Sequence, residues 1–89
     1  SPVVELNRAV AVGMAEGAAA GLALVDRLLG DTRLDGYHWL PSVSGDLLAK
    51  LGRGDEARLE FERAAALTAN ARERELLLAR AGARGSNAT

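Results

Sequence analysis

The sequence predicts an all-α protein of about five antiparallel helices, arranged as two helical hairpins and a capping helix at the C-terminal end. Of its 89 residues, 48% are hydrophobic but only 3% are aromatic. The apolar residues are therefore mostly alanine, leucine and valine, a mixture that packed helices use more than strands do. They recur every three or four positions in successive segments, and glycines stand between the segments.

The first hairpin follows from two such segments. Serine followed by proline is typical of a helix start, because the serine side chain can cap the helix and proline suits its first position. Ser1-Pro2 thus predicts a helix over 1–16, with Val4 and Val12 outside its main apolar stripe, which comprises Val3, Leu6, Val10 and Met14. Gly17 ends this helix. A second helix over 18–29 is predicted to end at Gly30 in a left-handed conformation, with an inner stripe of Ala18, Leu22, Val25 and Leu29.

The second hairpin starts after a polar loop over 31–36, in which Asp35 is a candidate helix cap. Its first helix extends to Leu51, with a stripe of Leu40, Val43, Leu47 and Leu51. Pro41 interrupts this pattern, because proline inside a helix removes a backbone hydrogen bond. The helix therefore either kinks at Pro41 or begins near Leu40, and we expect a kink or an irregular first turn.

Gly52 and Gly54 mark the next turn, and the helix over 55–68 is expected to bury Ala57, Phe61 and Ala64. Asn70 followed by Glu73 predicts a capping box that opens a last helix over 71–81. Gly82 can close that helix. The predicted domain is therefore 1–82, and 83–89 is expected to be a flexible tail.

The two hairpins read as a repeat, because Gly17 and Gly52 lie 35 residues apart. The tetratricopeptide repeat has a period of about 34 residues and two helices per unit. The second unit matches it at a set of mostly small residues with one aromatic: Gly45, Gly52, Ala57, Phe61 and Ala64. Small residues let antiparallel helices approach closely, and the aromatic ring fills the seam. The first unit matches by spacing more than by identity.

The chain resembles the C-terminal, tetratricopeptide-like extension of actinobacterial-type extracytoplasmic-function (ECF) sigma factors. The resemblance covers residues 1–82 and is carried by 1–12, Gly17, 21–26, 35–38, 46–48, 51–53 and 57–66. Pro41 departs from the expected pattern. The resemblance implies a fragment of a longer sigma factor, whose promoter-recognising domains lie before Ser1. It also implies a regulatory role in transcription initiation, through contacts with those sigma domains, with RNA polymerase or with another protein.

Composition narrows the function classes. A formal net charge of −1 leaves no basic excess for phosphate, so we expect no direct nucleic-acid contact by this segment. The chain has no cysteine and one histidine, so we expect no thiolate or histidine-rich metal site and no cofactor. No apolar run is long enough to span a bilayer and no signal peptide is evident, which favours a cytoplasmic protein with no membrane partner.

Two groups of residues are candidate protein interfaces. Tyr37, His38 and Trp39 form an aromatic cluster that is either a contact site or, as we favour, a filling for the groove between the repeats. Val4 and Val12 lack a covering helix, which predicts weak self-association. Asp35 and His38 have no accompanying nucleophile, so we expect no enzyme activity. The alternative function is a free-standing tetratricopeptide-type scaffold that binds a peptide.

Overall fold

A computed structural model describes residues 1–85, which form five α-helices and, within this range, no strand. This confirms the predicted all-α fold. The helices are α1 (Pro2–Glu16), α2 (Ala18–Leu28), α3 (Trp39–Lys50), α4 (Gly54–Leu67) and α5 (Ala71–Gly85), with a short 3₁₀ helix (Thr32–Leu34) between α2 and α3.

The helices pack in chain order. α1 packs against α2 and α3 packs against α4, which makes the two predicted hairpins. The α2–α3 contact joins the hairpins, and α5 packs on α4. The core between them is built mostly from leucine and alanine, and Phe61 and Val25 are its largest fully buried side chains.

The first hairpin is closed by small residues. α1 buries Leu6, Ala9 and Gly13, of which Ala9 and Gly13 face α2. A Cβ atom added to Gly21 would lie 2.9 Å from both the carbonyl oxygen of Ala9 and the Cα of Gly13, so the two backbones almost touch. A stripe of small residues allows closer helix packing than bulky side chains do. Of the main apolar stripe that the sequence predicts on α1, Leu6 is buried, whereas the other three members are exposed by 36% to 78%: Val3, Val10 and Met14.

Two of the four glycines predicted at turns have a positive φ, and Gly54 is instead the first residue of α4. Gly17 and Gly52 have φ angles of 105° and 76°, values that favour glycine. Gly30 was expected to behave likewise, but its φ is not positive, and α2 ends at Leu28. The inner stripe of α2 also ends early, since Leu29 is 47% exposed.

After α2 the chain turns into the 3₁₀ helix, which Asp31 caps by accepting a hydrogen bond from the backbone N–H of Arg33 at 2.9 Å. The hydrogen bonds that the Arg33 side chain and backbone donate also lower the pKa of Asp31. The positive φ of this connection is at Gly36 instead of Gly30.

Of the two arrangements that the sequence allows at Pro41, the structure has the helix beginning near Leu40, and not the kink or irregular first turn that we favoured. α3 starts at Trp39 with His38 as its N-terminal flanking residue, so Asp35 does not cap it. Pro41 lies in the first turn, where a backbone N–H would have no partner within the helix, and no kink is needed. At the other end, Leu51 is 39% exposed and does not extend the inner stripe. At the start of α1, Ser1 likewise makes no side-chain capping bond.

The predicted burial of Ala57, Phe61 and Ala64 in the second hairpin is confirmed, since all three side chains are fully buried. Gly45 lies under the Phe61 ring so closely that a Cβ atom there would be 2.7 Å from the ring.

One of the two hydrogen bonds of the predicted capping box is present at the start of α5, and the other is made by a different residue. Asn70 Oδ1 accepts a hydrogen bond from the Glu73 N–H at 2.9 Å. The hydroxyl of Thr68, instead of the Glu73 carboxylate, accepts from the Asn70 N–H at 3.2 Å. At the other end, α5 continues through Gly82 to Gly85, three residues past the predicted domain end, because an exposed helical glycine does not oblige a helix to stop. Residues 86–89 of the predicted tail lie outside the described residues.

Candidate protein-interaction surface

One groove runs along the helices that open each unit, α1, α3 and α5; we call it the α1–α3–α5 groove. Its first part is a cavity of about 330 Å³ between α1 and α3, lined by Leu6, Asn7, Val10, Tyr37, Trp39, Val43 and Asp46. A smaller cavity of about 140 Å³ extends it toward Met14 and Lys50. A third, of about 230 Å³, lies between α3 and α5 and is lined by Trp39, Ser42, Glu73, Leu76, Leu77 and Arg80.

Trp39 is the centre of this groove, because it lines the cavities on both sides of α3. Its side chain is 49% exposed. The favoured expectation, that Trp39 fills the space between the repeats as a core residue, is therefore wrong. The inner positions of the first turn of α3 are occupied by Leu40 and Pro41, both buried, which leaves Trp39 on the groove side.

Trp39 is the last of three consecutive aromatic rings, after Tyr37 and His38. The Tyr37 and His38 rings meet edge-to-face at 6.1 Å between centroids, and the His38 and Trp39 rings lie 5.1 Å apart at an angle of 35°. Tyr37 is half-buried against the core. His38 is also half-buried, and its Nε2 contacts the carboxylate of Glu73 on α5. The two neighbouring side chains of Trp39 are thus held in place by contacts with the core and with α5.

The α5 side of the groove is held by Arg80. Its guanidinium pairs with Asp46 on α3 and lies 4.4 Å from the centroid of the Phe61 ring on α4. Cation–π contacts of this kind stabilise by about 0.5–2 kcal/mol, depending on exposure. One side chain therefore connects three helices and fixes the spacing of the groove walls.

The groove is chemically suited to a protein segment. Its exposed apolar side chains are Val10, Met14, Trp39 and Leu76. Three of its charged side chains, Asp46, Glu73 and Arg80, contact partners within the chain, and Lys50 is exposed at one end. Tryptophan in such a position is a typical centre of binding energy in protein interfaces. Among the described residues, no group of three or more His, Cys, Asp or Glu could hold a metal ion.

A second cleft, of about 270 Å³, lies between α2 and α4. Its rim is mostly charged and largely paired, with Arg53 bonded to Glu56 and Arg63 to Glu60 at 3.4 Å. Burial raises the pKa of Glu60, and the nearby Arg63 opposes this shift. Since surface ion pairs of this type add little binding energy, the α1–α3–α5 groove is the better interaction site.

The structure brings together only part of the predicted interface. Tyr37 and Trp39 line the groove, and His38 supports it from behind. Val4 is 61% exposed and Val12 is half-buried, but neither lines the groove.

Sequence reasoning missed the residues that make up the rest of the groove: Val10, Met14, Val43 and Leu76. The sequence places Val10 and Met14 on the main apolar stripe of α1 but does not distinguish which side of this helix is packed. The spacing of Ala9 and Gly13 opposite Gly21 is the signal that could have decided this, because it identifies the close-packed face.

No helix in the described part of the chain is long and apolar enough to cross a membrane.

No protein-family model matches the chain, and no solved structure matches it. Over 73 residues the chain is 53% identical to an uncharacterized protein of Rhizobium meliloti (strain 1021). The matched region is 82% of this chain and 17% of that protein, so the chain spans about a sixth of its relative's length.

Proposed function

We propose that this chain is a regulatory, non-catalytic protein-interaction domain of an ECF sigma factor, which modulates sigma-dependent transcription initiation. The observation that carries the interaction role is the half-exposed Trp39 at the centre of the α1–α3–α5 groove. The sigma-factor assignment is supported by the sequence resemblance over residues 1–82.

The partner in this proposal is a protein. The chain has a net charge of −1, and in the groove Arg80 pairs with Asp46, which leaves Lys50 as the one further cation among the described residues that line it. A nucleic-acid site would instead present a cluster of cations to phosphate. The partner is therefore the sigma domains that bind promoter DNA and core polymerase, or RNA polymerase itself, and this segment makes no direct DNA contact.

Binding measurements with the separated sigma domains and with core RNA polymerase test this proposal. Trp39→Ala is expected to weaken binding at least tenfold, since central aromatic residues of interfaces commonly contribute 2 kcal/mol or more. Leu59→Ala is the matched control, because Leu59 is 56% exposed and lines the cleft between α2 and α4. Circular dichroism establishes that both variants fold. Equal affinity of the two variants, or no binding to either partner, contradicts the proposal.

A free-standing peptide-binding scaffold is the second candidate, and the same groove favours it. The two differ in the full-length protein: the sigma-factor proposal requires promoter-binding domains before Ser1. The scaffold needs none, and it predicts binding of short peptides with no effect on promoter-dependent transcription.

A further inference from the structure

α5 carries an uncovered patch of three apolar or small residues beside Glu75. Leu78 is 48% exposed, and Ala79 and Gly82, on the same side of the helix, are exposed as well. Leu77 and Ala81 face the rest of the protein and are buried. Most of the rest of the exposed surface of α5 is polar, as expected of a helix that ends a repeat stack, with Arg72, Arg74 and Glu75 exposed.

The internal repeat shows what α5 corresponds to. Leu77 and Ala81 lie 34 residues after Val43 and Leu47 of α3. The equivalent residues Val43 and Leu77 both lie toward the preceding hairpin: Val43 lines a cavity with Leu6 and Val10 of α1, and Leu77 lines one with Trp39 of α3. The register of α5 is thus that of the first helix of a unit.

In that register, the uncovered α5 residues have buried counterparts on α3. Leu78, Ala79 and Gly82 lie 34 residues after Ser44, Gly45 and Leu48 of α3, which are all buried. The nearest atoms above Gly45 belong to the Phe61 ring of α4. In the first hairpin α2 covers the same side of α1, at Ala9 and Gly13. In the first two units, the second helix (α2 or α4) therefore packs on this side of the first helix (α1 or α3).

We propose that the face formed by Leu78, Ala79 and Gly82, which we call the α5 face, docks one helix of a protein partner, antiparallel to α5. The partner helix carries an aromatic residue that packs over Ala79, flanked by small residues with the spacing of Ala57, Phe61 and Ala64. The small Ala79 and Gly82 side chains leave room for that ring, as Gly45 does for Phe61.

The negative charge of Glu75 predicts a basic residue on the partner helix. Glu75, exposed near the start of α5, lies 34 residues after Pro41. Pro41 lines a cavity together with Leu67, the last residue of α4. The corresponding last turn of the partner helix therefore lies beside Glu75, and it carries lysine or arginine, which also suits the negative C-terminal end of a helix.

A second copy of the chain does not meet this requirement. The aromatic residues of the sequence are Tyr37, Trp39 and Phe61. Phe61 is fully buried, and Tyr37 and Trp39 belong to the α1–α3–α5 groove. The described residues thus contain no exposed helix with an aromatic residue at the centre of its outer face.

A peptide titration tests the proposal. The probe is a peptide with the sequence of residues 54–67 carrying Leu67→Lys, added to isotope-labelled chain while NMR amide shifts are recorded. We expect shifts centred on Leu78, Ala79 and Gly82, and at least tenfold weaker binding to the variant Ala79→Glu. Ala23→Glu, at an exposed position on α2, is the matched control and is expected to bind like the unmodified chain.

Four results would overturn it: no binding, shifts confined to the α1–α3–α5 groove around Trp39, equal binding of a probe in which Phe61 is replaced by alanine, or a dimer without peptide that Ala79→Glu dissociates. Thermal melts of both glutamate variants exclude unfolding as the cause. The outcome is independent of the sigma-factor proposal, since that proposal is tested through Trp39.

Discussion

At the scale of single residues, Gly45 and Gly82 stand inside helices with opposite surroundings. A Cβ atom at Gly45 would be 2.7 Å from the Phe61 ring, whereas one at Gly82 would meet nothing within 4 Å. Gly45→Ala is therefore expected to lower the free energy of unfolding by about 1–3 kcal/mol through overpacking. Gly82→Ala, the control, is expected to raise it by up to about 1 kcal/mol through helix propensity. Urea denaturation measures both; a neutral Gly45→Ala would contradict the contact.

Glu60 gives a pH-dependent prediction. Burial raises its pKa, so the folded state binds the proton more readily than the unfolded state does. The contribution of Glu60 to stability therefore falls as pH rises through this raised pKa. Glu60→Gln is expected to be more stable than the unmodified chain at pH 7, with a difference that shrinks as pH falls below the pKa of Glu60.

Thermal melts from pH 3 to 8, a range that brackets the ordinary titration of glutamate near 4.3, measure this difference. Glu62→Gln, at an exposed position on the same helix, is the control and is expected to show a smaller difference. A stability loss at pH 7 in Glu60→Gln would mean that its pair with Arg63 outweighs the burial of the carboxylate.

At the scale of the elements, the link between α1 and α2 depends on one residue. Gly17 has φ 105° and ψ 158°, a region that is nearly restricted to glycine. Gly17→Ala is therefore expected to cost about 1–3 kcal/mol in unfolding free energy. Gly30→Ala is the control, since Gly30 has no positive φ and open space around it, and little change is expected. Equal effects of the two substitutions would show that the α1–α2 turn does not require glycine.

At the scale of the whole molecule, exposed apolar side chains predict association. On α1, Val3 and Val4 are 42% and 61% exposed. We expect weak self-association through α1, seen in light scattering as an average mass that rises with concentration. Val4→Lys is expected to reduce the rise, whereas Ala19→Lys, at an exposed position on α2, leaves it unchanged. A constant monomer mass at high concentration would contradict this prediction.

The sequence by itself determined the five helices, the turns at Gly17 and Gly52 and the buried set Ala57, Phe61 and Ala64, because periodicity and turn chemistry are local properties of the chain. The groove could be predicted only in part, at Tyr37 and Trp39. Only the tertiary structure decided which apolar face of α1 is buried, and that Trp39 is half-exposed. Helix faces compete for burial through packing against distant segments, and the close fit of Gly13 and Gly21 outweighed the larger Val10 and Met14 stripe.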